Sequence, residues 1–339
     1  MGRFLVTGGA GFIGSHLAEA LVARGDDVVV LDDLSGGIQS RVPEAAQLVV
    51  GSVTDPATVN EVFSGPRFDG VYHLAAFAAE GISHAVKRLN YTSNVIGSVN
   101  LINACLVTKA GFFGFASSVA VYGRGRTPMR EDDTPHPVDS YGNAKFTVER
   151  ELDITMHLQG LPYFALRMHN VYGEWQNMRD PYRNAVAIFL NQVMRGEPIT
   201  VYGDGQQVRA FTYVGDIVGT FLAAADSPAA WGKVFNVGSA STATVLELAE
   251  TVRDSMGMPE HQILHLPERD EVKVAFTDNS LARETFGNWT DTPLVDGVAR
   301  TAKWARDHGP VGLKTTVELE IPHTDSSDWV SWIKGRLDN

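Results

Sequence analysis

A glycine-rich turn near the N-terminus constrains the fold of this chain more than any other feature. The apolar run at residues 4–7 predicts a buried strand, and helical spacing follows over residues 15–24. Between them lies the sequence TGGAGFIG, in which Gly9, Gly11 and Gly14 satisfy the pattern G-x-G-x-x-G. Backbone without side chains can approach a pyrophosphate closely, and the free N–H groups of a helix N-terminus favour anions. The turn therefore predicts a dinucleotide-binding strand–turn–helix unit.

An acidic residue ends the next predicted strand, which spans residues 28–31. A carboxylate at Asp32 can accept both ribose hydroxyls of a dinucleotide and repels a 2′-phosphate, so we expect NAD rather than NADP. Asp55 follows the third predicted strand. Its position suits either a contact with the cofactor or an N-cap of the helix that follows, and both interpretations stay open.

The rest of the N-terminal half alternates apolar runs with helical patterns, which is typical of a parallel sheet buried on both faces. Further strands are predicted at 47–51, 70–74, 112–117 and 161–167, with helices at 94–104 and 141–159. We therefore predict an α/β fold with a doubly wound parallel (Rossmann) sheet.

Beyond Asn170 the strands become short, and no polar or glycine-rich linker separates the two halves. We expect residues 1–168 to form an NAD-binding domain, to which residues 209–237 return. A smaller, interleaved α/β domain of residues 169–208 and 238–339 would bind the substrate. The tail that carries Trp329 and Trp332 is expected to pack on the body or on a partner subunit.

The composition excludes several classes of partner. The 339 residues include 28 Lys+Arg and 40 Asp+Glu, a net charge of −12, which argues against nucleic acid. An anionic substrate must then be held by a few local arginines. The single cysteine, Cys105, fits a reducing compartment, and no apolar run approaches the roughly 20 residues of a membrane span. We expect a cytoplasmic protein without a membrane partner.

Three side chains could carry out proton transfer. Tyr141 and Lys145 lie four residues apart on one face of a predicted helix. A nearby ammonium favours the phenolate, so that tyrosine can act as a base near neutral pH. Ser118 follows the fifth predicted strand, where its hydroxyl can donate a hydrogen bond to a reacting oxygen.

Six motifs occur in an order found in a known family: TGGAGFIG, HLAA, SSVAVYG, YGNAK, LRMHNVYG and GDGQQVRAF. Through them the chain resembles the extended short-chain dehydrogenase/reductases over residues 3–308. Within that family it is most similar to nucleotide-sugar 4-epimerases, of which UDP-glucose and UDP-glucuronate 4-epimerases are typical. The resemblance implies NAD as cofactor, a UDP-sugar as substrate, C4 inversion through a transient 4-keto sugar, and a homodimer.

The same resemblance implies roles for individual residues. Tyr141 would be the base, Lys145 would reach the nicotinamide ribose, and Ser118 would hold the reacting oxygen. The implied cofactor contacts are Gly8, Gly11, Phe12, Ile13, Gly14, Asp32, Asp55, Leu74, Ala75, Ala76, Asn94, Tyr141 and Lys145. The implied contacts with the sugar diphosphate are Asn170 and Arg209, a role that suits a guanidinium.

The sequence departs from the family pattern at three places. His169 replaces an apolar residue, and the usual R-P-G-D segment reads Glu-Arg-Asp-Glu at 268–271, so Arg269 is a less clear diphosphate ligand. Glu80 follows the HLAA motif, where it could bind sugar hydroxyls or be exposed. An insertion at 174–184 adds Arg179 and Arg183, which could pair with a C6 carboxylate and favour UDP-glucuronate, or could be solvated or contact the nucleotide.

Alternatives to an epimerase can be tested against the same residues. A nucleotide-sugar 4,6-dehydratase carries an acidic pair after the active-site serine, where this chain has Val119 and Ala120. Another NAD-dependent sugar-nucleotide oxidoreductase stays open, as does a dinucleotide-sensing protein without turnover. His73, His84 and His169 do not have metal-ligand spacing, so we expect no metal.

Overall fold

The computed structural model describes residues 1–180, 184–268, 271–287, 290–313 and 317–321. Its strands are β1 (Arg3–Thr7), β2 (Asp27–Asp32), β3 (Gln47–Val50), β4 (Gly70–His73), β5 (Phe113–Ser118), β6 (Tyr163–Met168), β7 (Val171–Tyr172), β8 (Ile199–Tyr202), β9 (Val208–Ala210), β10 (Thr212–Tyr213), β11 (Lys233–Val237), β12 (Thr242–Thr244), β13 (Ile263–Leu266) and β14 (Val274–Ala275). Its helices are α1 (Phe12–Ala23), α2 (Pro56–Val62), α3 (Lys87–Tyr91), α4 (Gly97–Thr108), α5 (Ser140–Gln159), α6 (Ala185–Met194), α7 (Val214–Ala225), α8 (Val245–Ser255), α9 (Ser280–Phe286) and α10 (Leu294–His308).

Seven strands form the central sheet in the order β11-β6-β5-β4-β1-β2-β3, and every neighbouring pair is parallel. Alternate side chains of each strand are buried on opposite faces. Phe4 and Val6 of β1 pack toward α1 and α7, whereas Leu5 packs toward α2, α4 and α5. Helices on both faces cover these side chains, so the predicted doubly wound Rossmann fold is confirmed.

Three small sheets build the C-terminal part. β7 pairs with β10 and β8 with β13, while β9 lies between antiparallel β12 and parallel β14. Their core is shared with α6, α8 and α10. The chain also returns to the central sheet, because β11 pairs with β6 and α7 packs on the face that carries α1. The division of the chain into two domains stays a prediction.

Helix α5 carries the predicted Tyr-Lys pair and has a defined start and end. The carboxylate of Asp139 accepts the N–H of Gly142 at 2.7 Å and caps the N-terminus. Gly160 ends the helix in the left-handed conformation, with φ of 77°. Residues predicted as one helix at 94–104 instead follow α3 through a π-helical turn, Thr92–Ile96, into α4.

Candidate active site

A cleft of about 2080 Å³ runs along the carboxyl edge of the central sheet and between the two parts of the chain. Single-ligand pockets usually have volumes of about 300–1000 Å³, so this cleft has room for a dinucleotide and a second ligand. Most of the predicted site residues line it. They are Gly8, Gly11, Phe12, Ile13, Gly14, Asp32, Leu74, Ala75, Ala76, Ser118, Tyr141, Lys145, Asn170, Arg179 and Arg209.

The glycine-rich turn leaves no room for side chains. Gly8 has φ of +70°, and a Cβ there would lie 2.6 Å from the backbone nitrogen of Ala75. A Cβ on Gly14 would lie 2.2 Å from the carbonyl oxygen of Gly8. Gly11 caps α1 without a side-chain hydrogen bond, so the first N–H groups of the helix face the cleft. This cradle fits the diphosphate of a dinucleotide.

Asp32 ends β2 and is 7% exposed. One carboxylate oxygen accepts the N–H of Ala10 at 3.0 Å, and the other accepts the N–H of Leu34 at 2.8 Å. Burial raises the pKa of this carboxyl, and these hydrogen bonds oppose the rise. Each oxygen keeps a lone pair for a ribose hydroxyl, so Asp32 fits the adenosine side of NAD.

The HLAA segment is fixed by buried hydrogen bonds. The Ser98 hydroxyl donates to the Asn94 carbonyl, so the His73 Nε2–H donates to Ser98 and Nδ1 accepts from Thr7 at 2.7 Å. Burial and the charge of Lys145 lower the pKa of His73 to about 3, so the ring is neutral. The His73 ring therefore holds the end of β4 against β1 and α4.

Asn94 is 2% exposed and forms hydrogen bonds with the backbone that follows the HLAA segment. Its side-chain oxygen accepts the N–H of Phe77 at 2.8 Å, and its amide group donates to the Phe77 carbonyl and to Asn90. The structure therefore shows Asn94 supporting the chain that lines the cleft. Its predicted direct contact with the cofactor stays a prediction.

Asp55 takes one of its two anticipated positions. It is the N-cap of α2, where its carboxylate accepts the N–H groups of Ala57 and Thr58 and the Thr58 hydroxyl. The hydrogen bond from Thr58 lowers the pKa of this carboxyl. Residues 51–54 line the cleft immediately before it. Capping is what the structure shows, and contact with adenine stays a prediction.

Tyr141 and Lys145 face the cleft from the first turns of α5. The Lys145 Nζ donates to the Ala116 carbonyl at 2.8 Å and lies 5.7 Å from the centre of the Tyr141 ring. Burial lowers the pKa of Lys145 to about 7, against an opposing effect of Glu149. An ammonium has three donors, so two remain for a ligand beside the phenol.

Ser118 ends β5 on the same side of the cleft. Its oxygen accepts the N–H of Ala120 at 3.1 Å and thereby caps a short 3₁₀ turn, Val119–Tyr122. Within the part of the chain that the structure describes, its hydroxyl hydrogen has no acceptor, so it is available to a ligand oxygen. Ser118, Tyr141 and Lys145 thus form one group, as the sequence predicts.

The opposite wall carries the predicted diphosphate ligands. Arg209 on β9 pairs with Glu271 at 3.0 Å and donates to the carbonyls of Val208 and Lys273. Burial lowers the pKa of Arg209, and the carboxylates of Glu271 and Glu80 oppose this. The Asn170 side chain donates to the Ala210 carbonyl at 3.0 Å. Arg209 is therefore held in place before any ligand binds, with its charge partly compensated.

Three arginines remain from the predicted substrate site. Arg179 lines the cleft and is exposed. Arg183 and Arg269 lie outside the described residues, as does the tail with Trp329 and Trp332. The roles assigned to all three arginines stay predictions.

Glu80 and His169 also lie in the cleft wall. Glu80 is exposed to the water of the cleft, but it lies deep between the cleft walls. Burial there, together with the charges of Asp139 and Glu271, raises its pKa to about 7, and the charge of Arg209 opposes this rise. His169 is fully buried and hydrogen-bonded to Thr277 at 2.6 Å, and burial lowers its pKa to about 3. His169 is therefore a neutral contact within the fold.

Sequence reasoning assigned no role to three further residues, of which Arg167 lies within the LRMHNVYG motif. Arg41 lines the glycine-rich end of the cleft, and Arg167 and Glu149 form a buried ion pair to which the Ser117 hydroxyl donates. Each depends on a partner or neighbour distant in sequence, so no local pattern marks it.

Comparisons with known proteins agree with this geometry. The sequence profile of the "NAD dependent epimerase/dehydratase family" matches residues 4–238, which is more than half of the chain. The chain belongs to this family. It is accordingly an NAD-dependent enzyme of the nucleotide-sugar epimerase/dehydratase type, and the glycine cradle and Asp32 fit that cofactor.

Members with different activities are similar to this chain. A "UDP-N-acetyl-alpha-D-glucosaminuronate decarboxylase" of Bacillus cytotoxicus is 34% identical, over 90% of this chain and 98% of its own length. A UDP-glucose 4-epimerase of Thermotoga maritima, solved with UDP-glucose, is 33% identical with a TM-score of 0.85, over 90% of this chain and 99% of its own. A UDP-glucuronic acid 4-epimerase of Bacillus cereus, solved with UDP-glucuronic acid and NAD, is 27% identical with a TM-score of 0.81, over 90% and 99%.

Two features are absent from the residues that the structure describes. None of the helices there combines the length and the apolar character needed to cross a membrane. The same part of the chain contains no group of three or more His, Cys, Asp or Glu side chains arranged to hold a metal ion.

Proposed function

We propose that this protein is an NAD-dependent 4-epimerase of a UDP-hexose or UDP-hexuronate. One observation carries the proposal: Ser118, Tyr141 and Lys145 converge at the end of the cleft that begins at the glycine cradle, and Arg209 faces it from the other wall. Dinucleotide, reacting hydroxyl and diphosphate each have a place in one continuous space.

The chain's own residues supply the proton transfer. When bound, NAD supplies a ring that takes a hydride from a sugar carbon and gives it back. Tyr141 takes the proton from the sugar 4-hydroxyl and later returns it to the same oxygen. Lys145 favours the phenolate through its charge, and the Ser118 hydroxyl donates to the oxygen as it becomes a carbonyl.

Inversion at C4 requires firm anchoring of the nucleotide and loose holding of the hexose. Arg209 and Asn170 suit the anchor, because their side chains are already held by Glu271 and by the Ala210 carbonyl. The 4-keto sugar can then turn about its diphosphate linkage and present its other face.

Carboxylates around the hexose favour a neutral sugar within this class. Glu80 interacts electrostatically with Asp139, which precedes the catalytic helix, and with the Arg209–Glu271 pair. Glu80 therefore lines the cleft within electrostatic range of the start of α5 and of the Arg209–Glu271 pair. A C6 carboxylate would meet this negative charge, so UDP-hexose is preferred to UDP-hexuronate.

A dehydratase is the alternative within the family, and the turn after Ser118 argues against it. Val119 and Ala120 line the cleft there and cannot transfer protons across C5 and C6. A dinucleotide sensor without turnover would not need the Ser-Tyr-Lys group.

NMR of the purified protein with UDP-, dTDP- and GDP-sugars, without added cofactor, tests the proposal. We expect a UDP-hexose to be converted to its C4 epimer, with deuterium at C4 retained in the product. Loss of that deuterium, accumulation of free NADH, or solvent exchange at C5 would instead indicate a dehydrogenase or dehydratase. No conversion of any sugar would support a sensor.

We also propose a cytoplasmic homodimer. Cys105 is a free, buried thiol, which suits a reducing compartment. Ile96, beside α4, and Ile154 and Leu158 on α5 are exposed apolar side chains on neighbouring helices. Light scattering after gel filtration should give twice the chain mass, and a monomer at micromolar concentration would contradict it.

A further inference from the structure

The loop that follows β2 packs on the glycine-rich turn and is hydrogen-bonded to it. Leu34 has φ of 60° and donates its N–H to Asp32, and the N–H of Ile38 donates to the Ala10 carbonyl at 2.9 Å. A Cβ on Gly37 would lie 2.7 Å from Asp32 and 2.9 Å from the Ala10 side chain. A 3₁₀ turn then ends at Arg41, whose N–H donates to the Ile38 carbonyl. The loop therefore brings Arg41 to the same end of the cleft as the cradle.

Among the residues that the structure describes, Arg41 has no anionic partner. Its guanidinium forms no hydrogen bond or ion pair with the residues that the structure describes, and its Nη1 is shielded from water. Burial alone lowers its pKa to about 10, with no opposing carboxylate. Its charge also helps to lower the pKa of His16, one turn along α1 from Phe12. The cation thus lies beside the first turns of α1.

An unpaired, half-buried guanidinium costs folding free energy, because the part of its charge that is shielded from water needs a compensating partner. Two other cleft cations are already engaged, since Lys145 donates to the Ala116 carbonyl and Arg209 pairs with Glu271. Arg41 lines the cleft together with Gly11 and Phe12, at the N-terminus of α1. A ligand with negative charge at this point would supply the missing partner.

We propose that Arg41 is an anion ligand of the cofactor site and pairs with the diphosphate of NAD from the side opposite the glycine cradle. The diphosphate is the anionic group of NAD, and Asp32 already occupies the position next to the ribose hydroxyls, where a 2′-phosphate would be repelled. A guanidinium can meet two phosphate oxygens at once, which complements the N–H groups of the helix terminus. The proposal rests on the family's cofactor and not on the identity of the sugar.

The test measures binding and stability of the protein freed of co-purified cofactor, in Arg41→Gln, Arg41→Lys and the wild type. Arg67→Gln is the matched control, because Arg67 is exposed and its two contacts, with Asp69 and with the Lys109 carbonyl, are both long at 3.3 Å. Titration calorimetry gives the Kd of NAD⁺ and NADP⁺, and thermal melts give Tm with and without NAD⁺.

We expect Arg41→Gln to raise the Kd of NAD⁺ about 10- to 100-fold. Arg41→Lys should raise it less, since the positive charge remains. The Kd of NADP⁺ should rise by the same factor as the Kd of NAD⁺. Because the unpaired charge is removed, the Tm of cofactor-free Arg41→Gln should equal or exceed that of the wild type, while its rise on adding NAD⁺ becomes smaller. Arg67→Gln should change none of these values.

Several results would overturn the proposal. A Kd for NAD⁺ within twofold of the wild type in Arg41→Gln removes Arg41 from the site. A larger loss for NADP⁺ than for NAD⁺ moves the contact to the 2′ position. An Arg41→Lys variant no better than Arg41→Gln indicates stacking on the adenine instead. A lower Tm of the cofactor-free Arg41→Gln protein assigns Arg41 a structural role.

Discussion

Arg167 on β6 and Glu149 on α5 form a buried, bidentate ion pair, with Nη2 2.6 Å from Oε2 and Nε 3.0 Å from Oε1. The Ser117 hydroxyl donates to the same carboxylate, and Arg167 also donates to the Tyr122 hydroxyl at 2.6 Å. Glu149 lies one turn beyond Lys145 on α5. The pair therefore fixes α5 against β6, and the Ser117 hydrogen bond fixes it against β5, the strand that ends in Ser118.

Removing one partner of this pair should be more harmful than removing both. Glu149→Gln leaves a buried guanidinium without its carboxylate and should lower the free energy of unfolding by about 3–5 kcal/mol. Adding Arg167→Met should recover part of that loss, because the uncompensated charge disappears. Urea unfolding of the four proteins in a double-mutant cycle measures the coupling.

The same helix offers a control. Arg150 and Asp153 form an exposed pair at 3.0 Å, and Arg150→Met should cost no more than about 1 kcal/mol. Additive losses for Glu149→Gln and Arg167→Met would show that the two side chains act independently, and would contradict the positioning role.

Tyr141→Phe should abolish proton transfer without disturbing the cofactor. We expect kcat to fall by about 10²- to 10⁴-fold, as is usual when a general base is removed, while the bound NAD per chain is unchanged. Lys145→Met should lower both, since Lys145 is predicted to reach the cofactor. Tyr91→Phe is a suitable control, because its hydroxyl only accepts from Asn143 on the outer side of α5. Residual activity of Tyr141→Phe within tenfold of the wild type would exclude it as the base.

The accurate predictions from sequence were those whose signal is local. The central sheet and α1 follow from apolar runs and glycines that are close together in the chain. Ser118, Tyr141 and Lys145 line one cleft, but the roles assigned to them stay predictions. Asp55 shows the limit of this approach: a carboxylate before a proline-started helix reads equally as a cap and as a ligand, and only the fold shows the cap.

What sequence could not predict depends on distant partners. Glu271 neutralises Arg209 from 62 positions away, and Arg167 meets Glu149 on another element. The short strands β12 and β14 have only three and two residues, and they exist because β9 lies between them. That Arg41 has no partner among the described residues is likewise visible only in the folded chain.

Arg179 should contribute little to the choice of sugar. It is exposed, and a solvated guanidinium gains only a little from a screened contact with a C6 carboxylate. We expect Arg179→Gln to change the ratio of kcat/KM for UDP-glucuronate over UDP-glucose by less than threefold. Steady-state kinetics with both sugars at 0.15 M ionic strength, about that of the cell, measures the ratio. A fall of tenfold or more would instead assign Arg179 to carboxylate recognition.

Glu80 should set the preference against a charged sugar, and it should do so in a pH-dependent way. Because the pKa of Glu80 is raised to about 7, its side chain is charged above that pH and neutral below it. The wild-type ratio of kcat/KM for UDP-glucuronate over UDP-glucose should therefore rise as the pH falls through about 7. Glu80→Gln removes the charge at every pH. At pH 8 its ratio of kcat/KM for UDP-glucuronate over UDP-glucose should therefore be about 3- to 10-fold higher than that of the wild type. The rise of this ratio as the pH falls through about 7 should be absent from the variant. Asp33→Asn, a change of the same charge in an exposed residue at the cofactor end of the cleft, controls for the general field. If Glu80→Gln keeps the wild-type ratio at pH 8, the carboxylate does not face C6 and the preference for a neutral hexose loses its support.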